Sequence, residues 1–182
     1  MLVVVMLLPL ALPIGLLIAA AIAIADGPPI LFSQQRVGLL GRRFTLWKFR
    51  TLRPAGDRDG FMAEHDLRSR YTRIGKFLRH RRLDELPQLL AVLTGAMSLV
   101  GPRPERVDIA HGYGPREHRR LQCNPGLTGL WQVLAPRSQP IHEQMKYDLY
   151  YLRRASLRLD LWILLSTALV MLAPSRLTRR GR

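Results

Sequence analysis

Cysteine is almost absent from this chain. Of 182 residues only Cys123 carries a thiol, which excludes an internal disulfide and a multi-cysteine metal site. Acidic residues are scarce too. Thirteen Asp and Glu stand against 28 Lys and Arg, so the formal net charge is +15 and the chain needs acidic partners: anionic lipid headgroups, nucleotide diphosphates or nucleic acid. Nucleic acid is the remote alternative. The arginines are scattered through apolar and Gly/Pro-punctuated segments, no nucleic-acid motif is present, and an uncharged apolar N-terminus has no use in a basic nucleic-acid-binding protein. The histidines, His65, His80, His111, His118 and His142, fall at no metal-ligand spacing. Neither a repeat nor a low-complexity linker divides the chain, so a single small domain is expected after the N-terminal segment.

That segment carries no charge from Met1 to Ala25, a run long enough for a hydrocarbon core that needs about 20 apolar residues. It lacks the basic start of a signal peptide, and its apolar run is longer than a signal peptide uses. Pro9 and Pro13 each remove a backbone hydrogen bond, which predicts a kink near Pro13. Two topologies follow: a kinked spanning helix, or two limbs that dip into one leaflet and return. Under either, Arg36, Arg42, Arg43, Lys48, Arg50 and Arg53 place the globular part in the cytoplasm. The expected division is a membrane helix over 1–26 and a membrane-associated domain over 27–182.

Within the domain, Ile30–Gln34 and Phe44–Phe49 read as strands of a hairpin turned at Gly38–Gly41. Pro54–Gly60 reads as a charged loop. Helical patterns cover Ala63–Ser69, Ile74–His80, Leu86–Thr94, Arg116–Gln122, His142–Arg154 and Leu159–Leu172. The fold class is therefore α+β and mostly helical. Leu161–Ala173 is apolar nearly all round yet too short to span, so it is buried or lies in the membrane interface, where Trp162 and Trp47 would anchor unless they pack in the core.

Chemistry concentrates in RHRRLDELPQLL, residues 79–90. Proline is accepted in the first turn of a helix, so Pro87 puts Asp84 and Glu85 at the N-terminus of the helix that follows. That end favours anions, and Arg79, Arg81, Arg82 and Arg103 could neutralise a phosphate. The pair suits a carboxylate nucleophile or a Mg²⁺ ligand acting on a phosphate ester. The plainer reading is a helix cap paired with surface arginines. Gly101-Pro-Arg-Pro104 is rigid at two φ angles and presents Arg103 between Pro102 and Pro104, either as a phosphate clamp or as a structural turn.

Further motifs decide between these readings. LDELPQL (83–89) is followed by MSLVGPRP (97–104), and with them occur FSQQRVGLLG (32–41), KFRT (48–51), TRIGKFLR (72–79), PGLTGLWQ (125–132), DLYY (148–151) and SLRLD (156–160). From about Pro13 to about Leu169 the chain resembles the bacterial sugar transferase family, the monotopic phosphoglycosyl transferases that load a sugar phosphate onto a polyprenol phosphate. The resemblance implies that Asp84 attacks the sugar-bearing phosphorus of a nucleotide diphosphate sugar, typically a UDP-sugar. Nucleoside monophosphate then leaves, and an aspartyl-phosphosugar ester remains for the lipid phosphate to attack. It implies Mg²⁺ held by Glu85 with Asp84, a helix break and re-entry at Pro13, interfacial helices around the catalytic domain, and a place on the cytoplasmic face of the bacterial inner membrane. Exopolysaccharide, O-antigen, capsule or glycoprotein glycan assembly would begin there. Lys48, Arg50, Arg36, Gln34 and Arg79 become phosphate or nucleotide contacts, against surface salt bridges; Thr128 and Gln132 shape the nucleotide pocket, against hydrogen bonding within their own turn. An apolar interface could support a homodimer.

Four departures from the family pattern stand out. Leu12 replaces a small polar residue, and no basic residues or Asp precede the apolar run, as in an incomplete N-terminus. Arg82 replaces Ser, and Ala96 replaces an acid just before Met-Ser. If that acid supports the metal shell, its loss lowers activity, and a degenerate member that keeps fold and membrane attachment is the alternative.

Overall fold

A computed structural model describes residues 2–53, 68–134 and 145–172. The charge-free run forms one helix, α1, over Leu2–Asp26, and helical structure continues through Pro9 and Pro13. One stripe of it, Val4, Leu8, Ala11, Gly15, Ile18 and Ile22, turns inward at steps of four and three. Val4 joins a core with Leu46, Leu89, Val92 and Met97, while Ile18 and Ile22 join one with Phe49 and Leu78. The opposite face, including Met6, Leu10, Leu16, Leu17 and Ile24, stays exposed. Val3–Asp26 is long and apolar enough to cross a membrane.

The expected hairpin is present and longer than its pattern predicted. Strand β1, Leu31–Val37, pairs antiparallel with β2, Arg43–Phe49, from Leu31 opposite Phe49 to Val37 opposite Arg43. The turn takes two left-handed residues in succession, Leu40 at φ 52° and Gly41 at φ 79°, and glycine bears the second without strain. A third strand was not expected: β4, Glu105–Arg106, adds to the free edge of β1, with Arg36 opposite Arg106 and Val37 opposite Glu105. A separate parallel pair joins β3, Ser98–Val100, to β5, Gly126–Thr128.

Short helices complete the described fold: α2 (Gly75–His80), α3 (Leu89–Leu93), α4 (Val107–His111), α5 (Pro115–His118), α6 (Leu130–Leu134), α7 (Met145–Arg154) and α8 (Leu157–Leu172). The helix expected over Leu86–Thr94 begins as a 3₁₀ stretch, Leu83–Gln88, because Pro87 has no N–H to donate, and becomes α-helical only at Leu89. Likewise the helix expected over Arg116–Gln122 splits into α5 and a 3₁₀ turn, Arg119–Gln122. The Pro54–Gly60 loop, most of the Ala63–Ser69 helix and the start of the one at His142 lie outside the described residues, as do His65 and His142. On α8, Leu157, Leu161, Trp162, Leu165 and Leu169 form an exposed apolar stripe, while Ile163 and Val170 face the core. Trp47 is exposed as well, so neither it nor Trp162 is a core residue.

Candidate active site

The 3₁₀ stretch packs against β2 and thereby sets Asp84 and Glu85 beside Lys48. Entry into that stretch bends sharply, since Arg82 takes a left-handed conformation at φ 56° and donates from Nη2 to the Gln132 carbonyl at 2.8 Å. Glu85 is then clasped from two sides. Lys48 Nζ donates to its Oε1 at 3.0 Å and Arg103 Nη2 donates to the same oxygen at 2.9 Å. All three side chains are mostly buried, so solvent screens these contacts weakly.

The two adjacent carboxyls are driven in opposite directions. Burial acts to raise the pKa of Glu85, but Lys48 and Arg103 outweigh it and hold the group well below the carboxylate range. Asp84, only 7 % exposed, is pushed up by burial; Lys48 opposes the shift and the Glu85 charge adds to it. Arg79 and Arg103 also lie near enough to pull Asp84 back down. Arg79 leans over the Tyr71 ring at 5.9 Å from its centre. Separated environments of this kind give two neighbouring carboxyls different roles.

Arg103 is held from several directions. Its guanidinium lies 6.0 Å from the centre of the Trp131 ring. Its loop is bolted to the β3–β5 pair, since Gly101 N–H donates to Thr128 O at 2.9 Å and Gly126 N–H to Pro102 O at 2.8 Å. Gly126 is forced by this close approach: a Cβ there would sit 2.1 Å from the Gly101 nitrogen. Pro104 is fixed from the hairpin, where Arg36 donates to its carbonyl at 3.1 Å and to Gln34 Oε1 at 2.6 Å. Desolvation lowers the Arg36 pKa to about 10.

The remaining expected contacts are placed differently. Arg50 is buried and donates to the carbonyls of Asp26, the last residue of α1, and of Gly27 and Pro28 just beyond it, so its guanidinium serves the exit from the helix and is not presented to a phosphate. Thr128 Oγ1 bonds Thr167 Oγ1 at 2.7 Å, tying β5 to α8. Gln132 is buried, and neither amide atom has a protein partner among the described residues. The sequence reading missed Arg120, Glu105 and Tyr113, and it quoted Trp131 and Asp148 in motifs without giving either a role. The larger of the described cavities, about 420 Å³, is lined by residues including Val37, Arg43, His111 and His118, none of them predicted for the site.

Among the described residues no group of three or more His, Cys, Asp or Glu could form a metal cage. Mg²⁺ does not need one, because it is commonly held by one or two carboxylates and completed by substrate phosphates and water; Asp84 and Glu85 fit that mode.

The site is thus a carboxylate pair held under Lys and Arg, on a domain packed against a helix long and apolar enough to cross a membrane. The chain belongs to the bacterial sugar transferase family, whose model matches residues 1–174. It is 40 % identical over 178 residues to the galactosyl transferase CpsE of Streptococcus agalactiae serotype III, covering 87 % of this chain and 40 % of that one. To the uncharacterized sugar transferase EpsL of Bacillus subtilis it is 38 % identical, covering 81 % of this chain and 72 % of that one. To the UDP-glucose:undecaprenyl-phosphate glucose-1-phosphate transferase of Xanthomonas campestris pv. campestris it is 38 % identical, covering 88 % of this chain and 35 % of that one. The chain thus spans well under half of the first and third of these relatives.

Proposed function

We propose that this protein transfers a sugar-1-phosphate from a nucleotide diphosphate sugar, a UDP-sugar in the first instance, to undecaprenyl phosphate. The observation that carries the reading is the clasp of Lys48 and Arg103 on Glu85 with buried Asp84 beside it. An anionic nucleophile approaches a diphosphate only where cations screen the surrounding oxygens, and Lys48, Arg79 and Arg103 supply that charge from three directions. Asp84 attacks the sugar-bearing phosphorus; an Asp84 oxygen–phosphorus bond forms, the diphosphate bridge breaks, and UMP leaves with the bond electrons. An oxygen of the lipid phosphate then attacks the same phosphorus and expels the Asp84 carboxylate, giving a polyprenyl diphosphate sugar. Mg²⁺, when bound by Glu85 and Asp84, would add Lewis-acid charge neutralisation at the diphosphate. Glu85, held ionised by its two cations, is suited to be the ligand, and Asp84 to be the nucleophile.

The reading extends to location. The exposed faces of α1 and α8 would lie in lipid, with the domain at the cytoplasmic face of the bacterial inner membrane and α1 either re-entrant or spanning. Its product would start an exopolysaccharide or related glycan. The missing acid at Ala96 favours a degenerate member; against that, Glu85 already has two cations without it.

The test is UMP release by detergent-solubilised protein given a panel of UDP-sugars, Mg²⁺ and undecaprenyl phosphate. Release that disappears with Asp84→Asn and with EDTA supports the reading. Folded protein that releases nothing with any sugar overturns it in favour of the degenerate member.

A further inference from the structure

Arg120 is 2 % exposed, the most deeply placed cation described, yet it touches neither Asp84 nor Glu85. Its guanidinium gathers four groups from three parts of the chain. Nη1 donates to Glu105 Oε2 at 3.2 Å and to the Tyr113 hydroxyl. Nη2 lies 2.7 Å from Asp148 Oδ2 on α7 and donates to the main-chain carbonyl of Arg103 at 2.7 Å. Burial opposes its charge, but Asp148, Tyr113 and Glu105 together hold the guanidinium ionised. A buried cation between two carboxylates is costly to build and is often replaceable by apolar packing without loss of stability. What an apolar residue could not do here is grip the Arg103 carbonyl.

We propose that Arg120 is a positioning residue for the transfer reaction, fixing the Arg103 side chain against Glu85 by holding Arg103's own carbonyl oxygen. This rests on the sugar-phosphate transfer reading for its effect on rate, though not for its effect on geometry. Arg103 precedes Pro104, which confines it to extended conformations, and the two peptide planes that flank it are held by the Gly126 N–H on the Pro102 carbonyl and by Arg120 on the Arg103 carbonyl. Release of that carbonyl lets the loop rotate, and the guanidinium then leaves both Glu85 Oε1 and the Trp131 ring. Small misplacements of this kind reduce turnover more than binding.

The experiment reads Trp131 directly. Trp47→Phe and Trp162→Phe leave Trp131 as the single tryptophan of the full chain. In that background Arg120→Lys keeps the charge but cannot reach all four partners, and the expected result is a shift of Trp131 emission toward that of Arg103→Ala. Combined with Arg103→Ala, it should add nothing further. Kinetically, Arg120→Lys should lower kcat about tenfold or more with KM changed less than about threefold. If Arg120→Lys does not fold, Asp148→Asn loosens the same guanidinium and should move the emission in the same direction. Unchanged emission, or an equal shift with and without Arg103, would overturn the proposal and leave Arg120 a structural residue. A wild-type protein that releases no UMP would refute the reaction while the emission comparison still decides the positioning role.

Discussion

Replacing Lys48 by Met tests the charge balance around the carboxylate pair. Met keeps an apolar stem of similar length and removes only the ammonium. Lys48 Nζ is 3.0 Å from Glu85 Oε1 and Arg103 Nη2 is 2.9 Å from the same oxygen, so Glu85 keeps one cation. Breaking a buried pair outright costs about 3–5 kcal/mol; with Arg103 in place and the desolvation of Lys48 itself relieved, about 1–2 kcal/mol is expected. At this chain length that lowers Tm by about 2–8 °C. The larger consequence falls on Asp84. Burial raises its pKa and Lys48 is the strongest influence opposing the rise, so removing Lys48 lifts the pKa further. In the proposed reaction Asp84 attacks as the carboxylate, which fixes the sign: the acid limb of the activity profile moves to higher pH. At the plateau, losing one of the cations proposed to screen the diphosphate should cost about 10²–10³ in kcat. UMP release by wild type and Lys48→Met across a pH series measures both. An acid limb that stays in place beneath a lowered plateau would refute the coupling of Lys48 to Asp84.

Arg50→Met removes three hydrogen bonds to the end of α1 and should destabilise the protein by about 2–4 kcal/mol, seen in detergent melts, while KM for the nucleotide sugar stays unchanged; a raised KM at unchanged Tm would return Arg50 to the substrate. Asp148 has its pKa raised to about 6, by burial first, against the opposing pull of Arg120. The folded chain therefore holds that proton more tightly than the unfolded one. Its contribution makes stability fall as pH rises from about 4 to about 6, by up to about 3 kcal/mol, and Asp148→Asn should flatten that slope in denaturant titrations. Gly126→Ala places a Cβ against the Gly101 backbone and should cost more than about 3 kcal/mol and displace Arg103; a variant with wild-type Tm and activity would show that the β3–β5 approach is looser than described.

Legibility in the sequence followed the distance between partners. The charge-free run and the alternation around Gly38–Gly41 disclosed α1 and the hairpin because each is written in consecutive residues. Pro87 disclosed the turn that carries Asp84 and Glu85, although it also made that turn 3₁₀ where an α-helix was expected. The β3–β5 pair stayed hidden: two three-residue strands joined across Ser98 and Gly126 have no periodicity to read. Arg120 looked like any other arginine in a basic stretch. Its partners Glu105 and Asp148 lie 15 residues before it and 28 after it, and only the closed fold makes them neighbours. Arg50 was misread for the opposite reason. It stands two residues from Lys48 in one motif, yet the strand ends at Phe49 and the chain turns Arg50 toward the helix.

The last turn of a helix leaves carbonyls without intrahelical donors, and most helices leave that debt to water. At the end of α1 the Arg50 guanidinium, one residue past β2, takes up the carbonyl of Asp26 and those of Gly27 and Pro28 just beyond it. The exit from α1 is thereby fixed relative to β2. Lys48 stands on the same short rod of backbone, two residues from Arg50. Whatever moves the end of α1 therefore moves the carboxylate pair with it.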